Sequence, residues 1–267
     1  YKRQVEETLV VPRGGVKPTH RQDLWRALPR PFFMLAPMAN VTDTAFRQVI
    51  ATHGRPNLMV TEFTSCEGLC SAGRERLLQE LQFAQFERPL LVQLFGKRPE
   101  TFYQCGRLAR ELGFDGVDIN TGCPARAVVR QGAGCALIGD AQRIADIVTA
   151  TKEGASPLPV SVKTRLGIHR DTLDEWLPAL LDTVPAAIAI HARTMREQSA
   201  VPAHWDAIAR AVDIGMMPFR APEQQLSPQL VQRLESLPNV VAIKEESGAV
   251  DWVRTGSLLT DLSLIHI

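Results

Sequence analysis

The sequence lacks any long apolar run. No stretch approaches the roughly 18 residues that a membrane-spanning helix needs, and the N-terminal residues carry no signal-peptide core. It also lacks an excess of charge: 30 Lys and Arg stand against 29 Asp and Glu, a formal net charge of +1. That balance excludes a uniformly basic or acidic protein but leaves room for a local basic patch. Disulfide spacing is absent too. The five cysteines, Cys66, Cys70, Cys105, Cys123 and Cys135, are odd in number and follow no framework, so a reducing, cytoplasmic compartment is expected. Near Cys66 and Cys70 no histidine or second cysteine pair completes a zinc site, so no metal is expected. No Gly-x-Gly-x-x-Gly follows the first apolar run, which argues against a dinucleotide-binding half. Neither a membrane nor a stable protein partner is expected.

What is present suits a folded α/β protein. With 267 residues, 45% of them hydrophobic and 22% charged, the chain can bury the core of one large domain or two small ones. Residues 1–30 are polar and basic, broken by VPRGG and KPTH, and read as an irregular entry segment. From Pro31 a rhythm begins. Strand-like apolar runs fall at 32–36, 58–60, 90–94, 116–119, 160–162 and 187–190, with helix-like segments at 43–52, 73–81, 100–112, 140–153 and 173–181. The third helix-like segment starts well with Glu100 after Pro99, shows an apolar face of Phe102, Cys105, Leu108 and Leu112, and meets a stop at Gly113. Six alternating units with short buried strands favour a (β/α)8 barrel of the TIM type, incomplete or chimeric at its C-terminus. An open doubly wound sheet stays possible at this point.

Each strand-like run ends on polar or reactive groups. The first closes on Pro37, Met38, Ala39 and Asn40, the second on Thr61 and Glu62, the third on Gln93. The fourth closes on Asn120 and Cys123, the fifth on Lys163 and Arg165, the sixth on His191 and Arg193. A lone lysine or histidine at a strand end is commonly just solvated, and a lone cysteine commonly packs in a core. In a barrel, however, these ends converge on one mouth, where catalytic groups reside. Lys163 and Arg165 bring positive charge; Gln93 and Asn120 bring amide donors and acceptors. That set suits a ring with imide-type edges plus an anionic group, such as a flavin mononucleotide or a nucleotide base. A cysteine thiol of ordinary pKa, about 8.5, is mostly protonated at neutral pH and can give a proton as well as attack as a nucleophile. His191 could bind a phosphate or carbonyl, or hold a proton near neutrality.

At these residues the chain resembles the tRNA-dihydrouridine synthase family. The matching motifs are LAPMANVTD (35–43), TEF (61–63), VQLFG (92–96), DINTGCPARAVVRQGAGCALI (118–138), VSVKTRLG (160–167) and IHARTMREQ (190–198). They occur in the family's order and spacing over about residues 31–214. The resemblance implies a barrel flavoenzyme that reduces particular uridines of tRNA with FMN as cofactor and NADPH as electron donor. It implies Cys123 as the general acid that protonates uracil C5. Pro37, Met38 and Ala39 resemble the segment against the isoalloxazine, and Gln93 and Lys163 the ring contacts. Asn120 resembles an asparagine at flavin and substrate, and His191 the histidine of an HGRT-like motif, here with Ala192 at the glycine position. Arg165 and Arg193 are assigned, more weakly, to phosphate or RNA.

After Ile214 the pattern changes. The family continues into a seventh strand with an Asn-Gly-Asp-type turn, an eighth with a Gly-Arg turn that helps hold the FMN phosphate, and a helical tRNA-binding domain. Here residues 215–254 instead resemble part of the dihydrodipicolinate synthase and N-acetylneuraminate lyase family. LSPQLVQRL resembles a helix, and NVVAIKEESG the strand that bears the Schiff-base lysine, at Lys244. Residues 215–267 are therefore read as an atypical tail. It is either a natural fusion with a seventh strand at 240–243, or a joined or truncated frame that ends in unrelated LSLIHI. The split resemblance favours the second, with no eighth strand, open sheet edges and weak flavin retention expected. Two alternative functions follow: a Schiff-base aldolase or lyase acting through Lys244, and an inactive truncated barrel. The first lacks its companion tyrosine, since only Tyr1 and Tyr103 exist.

Overall fold

The structure is a computed structural model that describes residues 24–29, 32–54, 56–198, 200–204 and 207, with three further strands at 219–220, 242–245 and 263–266. Most of the expected entry segment 1–30 lies outside the described residues. In chain order the elements are α1 (Leu24–Ala27), β1 (Met34–Leu35), α2 (Thr44–His53), β2 (Leu58–Ser65), α3 (Cys66–Leu69), α4 (Arg74–Glu80) and β3 (Leu90–Phe95). There follow α5 (Pro99–Leu112), β4 (Gly116–Asn120), α6 (Arg126–Arg130), α7 (Ala141–Ala155), β5 (Val160–Arg165), α8 (Leu173–Asp182) and β6 (Ala187–His191).

These six strands form one sheet in the order β1-β2-β3-β4-β5-β6, and every neighbouring pair is parallel. That order decides between the two architectures left open by the sequence. A doubly wound sheet reverses its strand order at a switch point, whereas a barrel adds strands in sequence. No reversal occurs. The sheet is the barrel type, six strands of it in one run, and all six C-terminal ends lie along one edge.

Local chemistry explains the elements. Asp43 caps α2 by accepting from the Phe46 N–H at 2.8 Å. Helix α5 starts with Pro99 and stops where Gly113 takes a φ of +84°, a left-handed conformation suited to glycine. Its buried face holds Phe102, Cys105, Leu108 and Ala109, while Leu112, expected inside, is 39% exposed. Leu112 falls on the same helical stripe but is the last residue of the helix, one turn beyond Leu108. Strand β4 is buried along its whole length, as a parallel sheet covered by helices requires. The main core gathers Leu90, Val92 and Leu94 of β3, Val117 and Ile119 of β4, Val160 and Val162 of β5, and the inner faces of α5, α7 and α8.

Beyond Ile214, β7 (Phe219–Arg220), β8 (Ala242–Glu245) and β9 (Ser263–His266) pair in parallel as a second sheet. Lys244 lies on β8, opposite Phe219 and Ile265 in register. The final stretch, for which no strand is expected from the sequence, forms β9, and its Cα atoms come within 8 Å of those of β1.

Candidate functional site

Register brings the expected residues to the C-terminal edge of the six-stranded sheet. Gln93 pairs with Asp118, and Asp118 with Ser161; one step further on, Asn120 pairs with Lys163; at the end of β5, Arg165 pairs with His191. Because side chains alternate along a strand, Asp118 and Asn120 of β4 share one face. Gln93 is fully buried, and its Nε2 donates to Asp118 Oδ2 at 2.6 Å while its Oε1 accepts from Asn120 Nδ2 at 2.9 Å. Ser161 Oγ donates to Asp118 Oδ1 at 2.6 Å.

The turn after β4 is clamped from both sides. Asn120 Oδ1 accepts the N–H groups of Gly122 at 3.1 Å and Cys123 at 2.9 Å. The Gly122 carbonyl accepts from Arg165 Nε at 2.8 Å and from Cys135 Sγ at 3.0 Å, and the Cys123 carbonyl accepts from the Cys135 N–H at 3.1 Å. This close approach depends on Gly134, whose φ is +58° and where a Cβ would lie 2.7 Å from the Cys123 carbonyl oxygen. Cys123 itself is half-buried. Burial pushes the Cys135 thiol up to about 12, so it stays a neutral donor to the turn.

Arg165 is buried, and its Nη1 also donates to the carbonyls of Thr194 at 3.3 Å and Gln198 at 3.5 Å. Arg193, fully buried, donates through Nε to Val201 O at 2.6 Å and meets His191 Nε2 through Nη1 at 3.0 Å. A guanidinium only donates, so in this contact the His191 ring accepts at Nε2. Arg193 Nη2 is buried with no hydrogen-bond partner among the described residues. Desolvation by burial is the chief cause lowering the pKa of both arginines. Lys163 is half-buried at the same edge.

On β1 the loop of Pro37, Met38 and Ala39 follows a buried Ala36, with Pro37 and Met38 half-buried and Ala39 exposed. Thr42 Oγ1 accepts from the Met38 N–H at 3.0 Å, and the Asn40 N–H donates to the carboxylate of Glu62, which lies within β2 because that strand runs on to Ser65 and does not close at Thr61 and Glu62. Beneath the loop lies a fully buried Arg47–Glu87 ion pair at 2.7 Å. Arg47 also reaches the carbonyls of Thr42 at 2.7 Å and Gln82 at 2.9 Å. Its partner Glu87 accepts from Thr44 Oγ1 and from the Ala84 N–H, both at 2.7 Å.

The structure thus joins Gln93, Asn120, Cys123 and Arg165 in one hydrogen-bonded group and joins His191 to Arg193. It sets Lys163 beside Asn120 in register and the 37–39 loop at the far end of the same edge. Sequence reasoning missed Asp118, Ser161 and Cys135. The signal for Asp118 was an acid inside an otherwise apolar strand; the other two gave none. Away from the edge, burial raises the pKa of the Cys66 thiol well above its usual value and that of Cys70 to about 11. Among the described residues no group of three or more His, Cys, Asp and Glu could hold a metal ion. No helix among them is long and apolar enough to cross a membrane.

Comparison with known proteins adds the following. Residues 34–214 match the family model described as dihydrouridine synthase. Residues 193–262 match that of the dihydrodipicolinate synthetase family. Among curated proteins, the "Probable tRNA-dihydrouridine synthase 2" of Bacillus subtilis (strain 168) is 44% identical over 189 residues, covering 70% of this chain and 58% of that protein. The "Probable tRNA-dihydrouridine synthase" of Staphylococcus aureus (strain COL) is 41% identical over 190 residues, covering 70% and 57%. The chain therefore spans less than two thirds of the length of these relatives. Among solved structures, a variant of NCR from Zymomonas mobilis aligns with a TM-score of 0.56 at 14% identity, covering 87% of this chain and 91% of that one. Morphinone reductase in complex with tetrahydroNAD aligns with a TM-score of 0.50 at 11% identity, covering 84% and 86%. At such identity the structural likeness speaks to the fold alone.

Proposed function

The chain belongs to the dihydrouridine synthase family, and on that premise we propose that its barrel mouth reduces uridine to dihydrouridine in tRNA, with FMN as cofactor, NADPH as electron donor and Cys123 as general acid. The observation that carries the reading is the clamped turn: Cys123, half-buried at the end of β4, has the main-chain groups around it fixed by Asn120, Arg165 and Cys135. A proton donor works best when held in place before the reaction begins.

The residues present fit a flavin mononucleotide. The wall at the ends of β5 and β6 offers the Lys163 ammonium, the His191 ring and the buried, unsatisfied Arg193 Nη2. Carbonyl and phosphate oxygens are the natural partners of such a donor set. Lys163, His191, Gln93 and Asn120 would hold the ring and its substituents, with Pro37, Met38 and Ala39 against it, and Arg193 is the better placed of the two arginines for a phosphate. When bound, the flavin supplies the hydride to uracil C6. The Cys123 thiol gives its proton to C5, where addition at C6 leaves enolate character. The uridine must be turned out of its stack to reach the mouth. Exposed Lys97, Arg98, Arg126, Arg130, Arg170 and Arg196, on the segments that follow β3 to β6, support an approach by the tRNA backbone.

Cys123→Ala tests the assignment. The variant, reconstituted with FMN, is expected to keep the flavin's visible absorbance and to lose dihydrouridine formation on unmodified tRNA by on the order of 10²–10⁴-fold. Turnover at the wild-type rate would sink Cys123 as the acid.

A further inference from the structure

Beneath the Cys123 turn, Asp118 occupies the middle of a row across three strands, flanked in register by Gln93 and Ser161. It is 7% exposed, and each carboxylate oxygen already accepts one hydrogen bond, from Ser161 Oγ and from Gln93 Nε2. A carboxylate accepts and does not donate. The Gln93 amide, which has one accepting and one donating end, must therefore turn its nitrogen to Asp118 and its oxygen away. That oxygen meets Asn120, which answers with Nδ2. Asn120 Oδ1 is then the only end left for the Gly122 and Cys123 N–H groups. A flip at any link would set two donors or two acceptors face to face in a buried site, at the full penalty of unpaired polar groups.

We propose that Asp118 is a positioning residue for Cys123: its carboxylate fixes the direction of both amides in the Asp118–Gln93–Asn120 chain and so holds the Cys123 main chain in one arrangement. The catalytic consequence rests on the reading of Cys123 as proton donor; the positioning itself does not. The same polarity sets which amide edges Gln93 and Asn120 can present toward the mouth.

The test compares Asp118→Leu, which deletes the acceptor, with Asp118→Asn, which retains one acceptor oxygen. The rate of iodoacetamide alkylation is followed by peptide mapping at Cys123, with exposed Cys70, just beyond α3, as internal control. Asp118→Leu is expected to change the Cys123-to-Cys70 rate ratio by about threefold or more, and Asp118→Asn to recover most of it. Gln93→Met cuts the same chain one link later. It should change the ratio in the same direction even if Asp118→Leu does not fold, and the double variant should go no further than either single. With FMN and tRNA, uridine reduction by Asp118→Leu falls on the order of tenfold or more at unchanged KM for tRNA. An unchanged ratio, an equal rise at both cysteines, or strict additivity of the two substitutions overturns the proposal. If the ratio moves as expected while the wild-type protein reduces no uridine, the relay stands and the proposed activity falls.

Discussion

At the scale of single residues, Arg165 shows how much a side chain's partners matter beyond its type. By type it suits a phosphate, yet its Nε and Nη1 are directed to the carbonyls of Gly122, Thr194 and Gln198. These tie the β4 turn to the segment that follows β6. A lysine keeps the charge but cannot spread donors over three carbonyls. Arg165→Lys is therefore expected to destabilise the protein by about 1–3 kcal/mol, read as a lower midpoint in urea. It should also lower uridine reduction while leaving the salt dependence of tRNA binding unchanged. A reduced salt slope with unchanged stability would restore the phosphate role. Glu197 adds a pH dependence in the same segment. Burial works against its charge, but the Thr194 N–H and the His204 and Thr194 side chains outweigh it and hold its carboxyl below the usual range. A lowered folded pKa stabilises at pH above the unfolded value, near 4.3, and that share is lost as pH falls through the folded one.

At the scale of elements, the tightest packing is between α5 and α7. At Gly106 an added Cβ would lie 2.8 Å from the Ala155 nitrogen, and at Gly154 one would lie 2.1 Å from the Tyr103 carbonyl oxygen. The two helices meet backbone to backbone, which only glycine permits. Gly154→Ala is expected to cost about 1–3 kcal/mol, visible as a lower thermal midpoint, because the helices must part. Wild-type stability would mean that the pair has room to slide. These elements also show what the sequence could and could not reveal. The six strands and the five longer helices were legible, because apolar runs alternating with amphipathic segments carry their own period. Gly113 was legible as a stop because a left-handed residue is a local requirement. The four- and five-residue helices α1, α3 and α6 were not, since a single turn carries no period, and α1 falls inside the segment 1–30 expected to be irregular. Nor was the Arg47–Glu87 pair, whose members are 40 residues apart and meet only through the fold. The reactive residues at the strand ends could be read from the sequence; the buried chain of amides behind them could not, because Asp118, Gln93, Asn120 and Ser161 become neighbours only through strand register.

At the scale of the whole molecule, the charge balance constrains how tRNA would be held. A formal net charge of +1 gives almost no general attraction to a polyanion. On the proposed reading the cations at the mouth carry the contact, and two of those are already engaged: Arg98 with Glu67 at 3.8 Å and Arg170 with Glu175 at 2.8 Å. Exposed pairs of this kind are worth little, so a phosphate can compete for either arginine. Each phosphate contact contributes about −0.7 to −0.9 to the slope of log K against log salt, which caps the six mouth cations at a slope of about −5. Lys97 and Arg130 are the informative pair. The Lys97 stem passes 3.5 Å from where a Cβ at Gly132 would stand, so it lies against the turn between Arg130, the last residue of α6, and Cys135. Lys97→Ala and Arg130→Ala are each expected to flatten the slope by about 1 and to weaken different tRNAs alike, with the FMN spectrum untouched. Titrations of the FMN-loaded protein between about 50 and 200 mM salt measure this directly. A slope that neither substitution moves would place the tRNA contacts elsewhere on the chain and separate RNA binding from the barrel mouth.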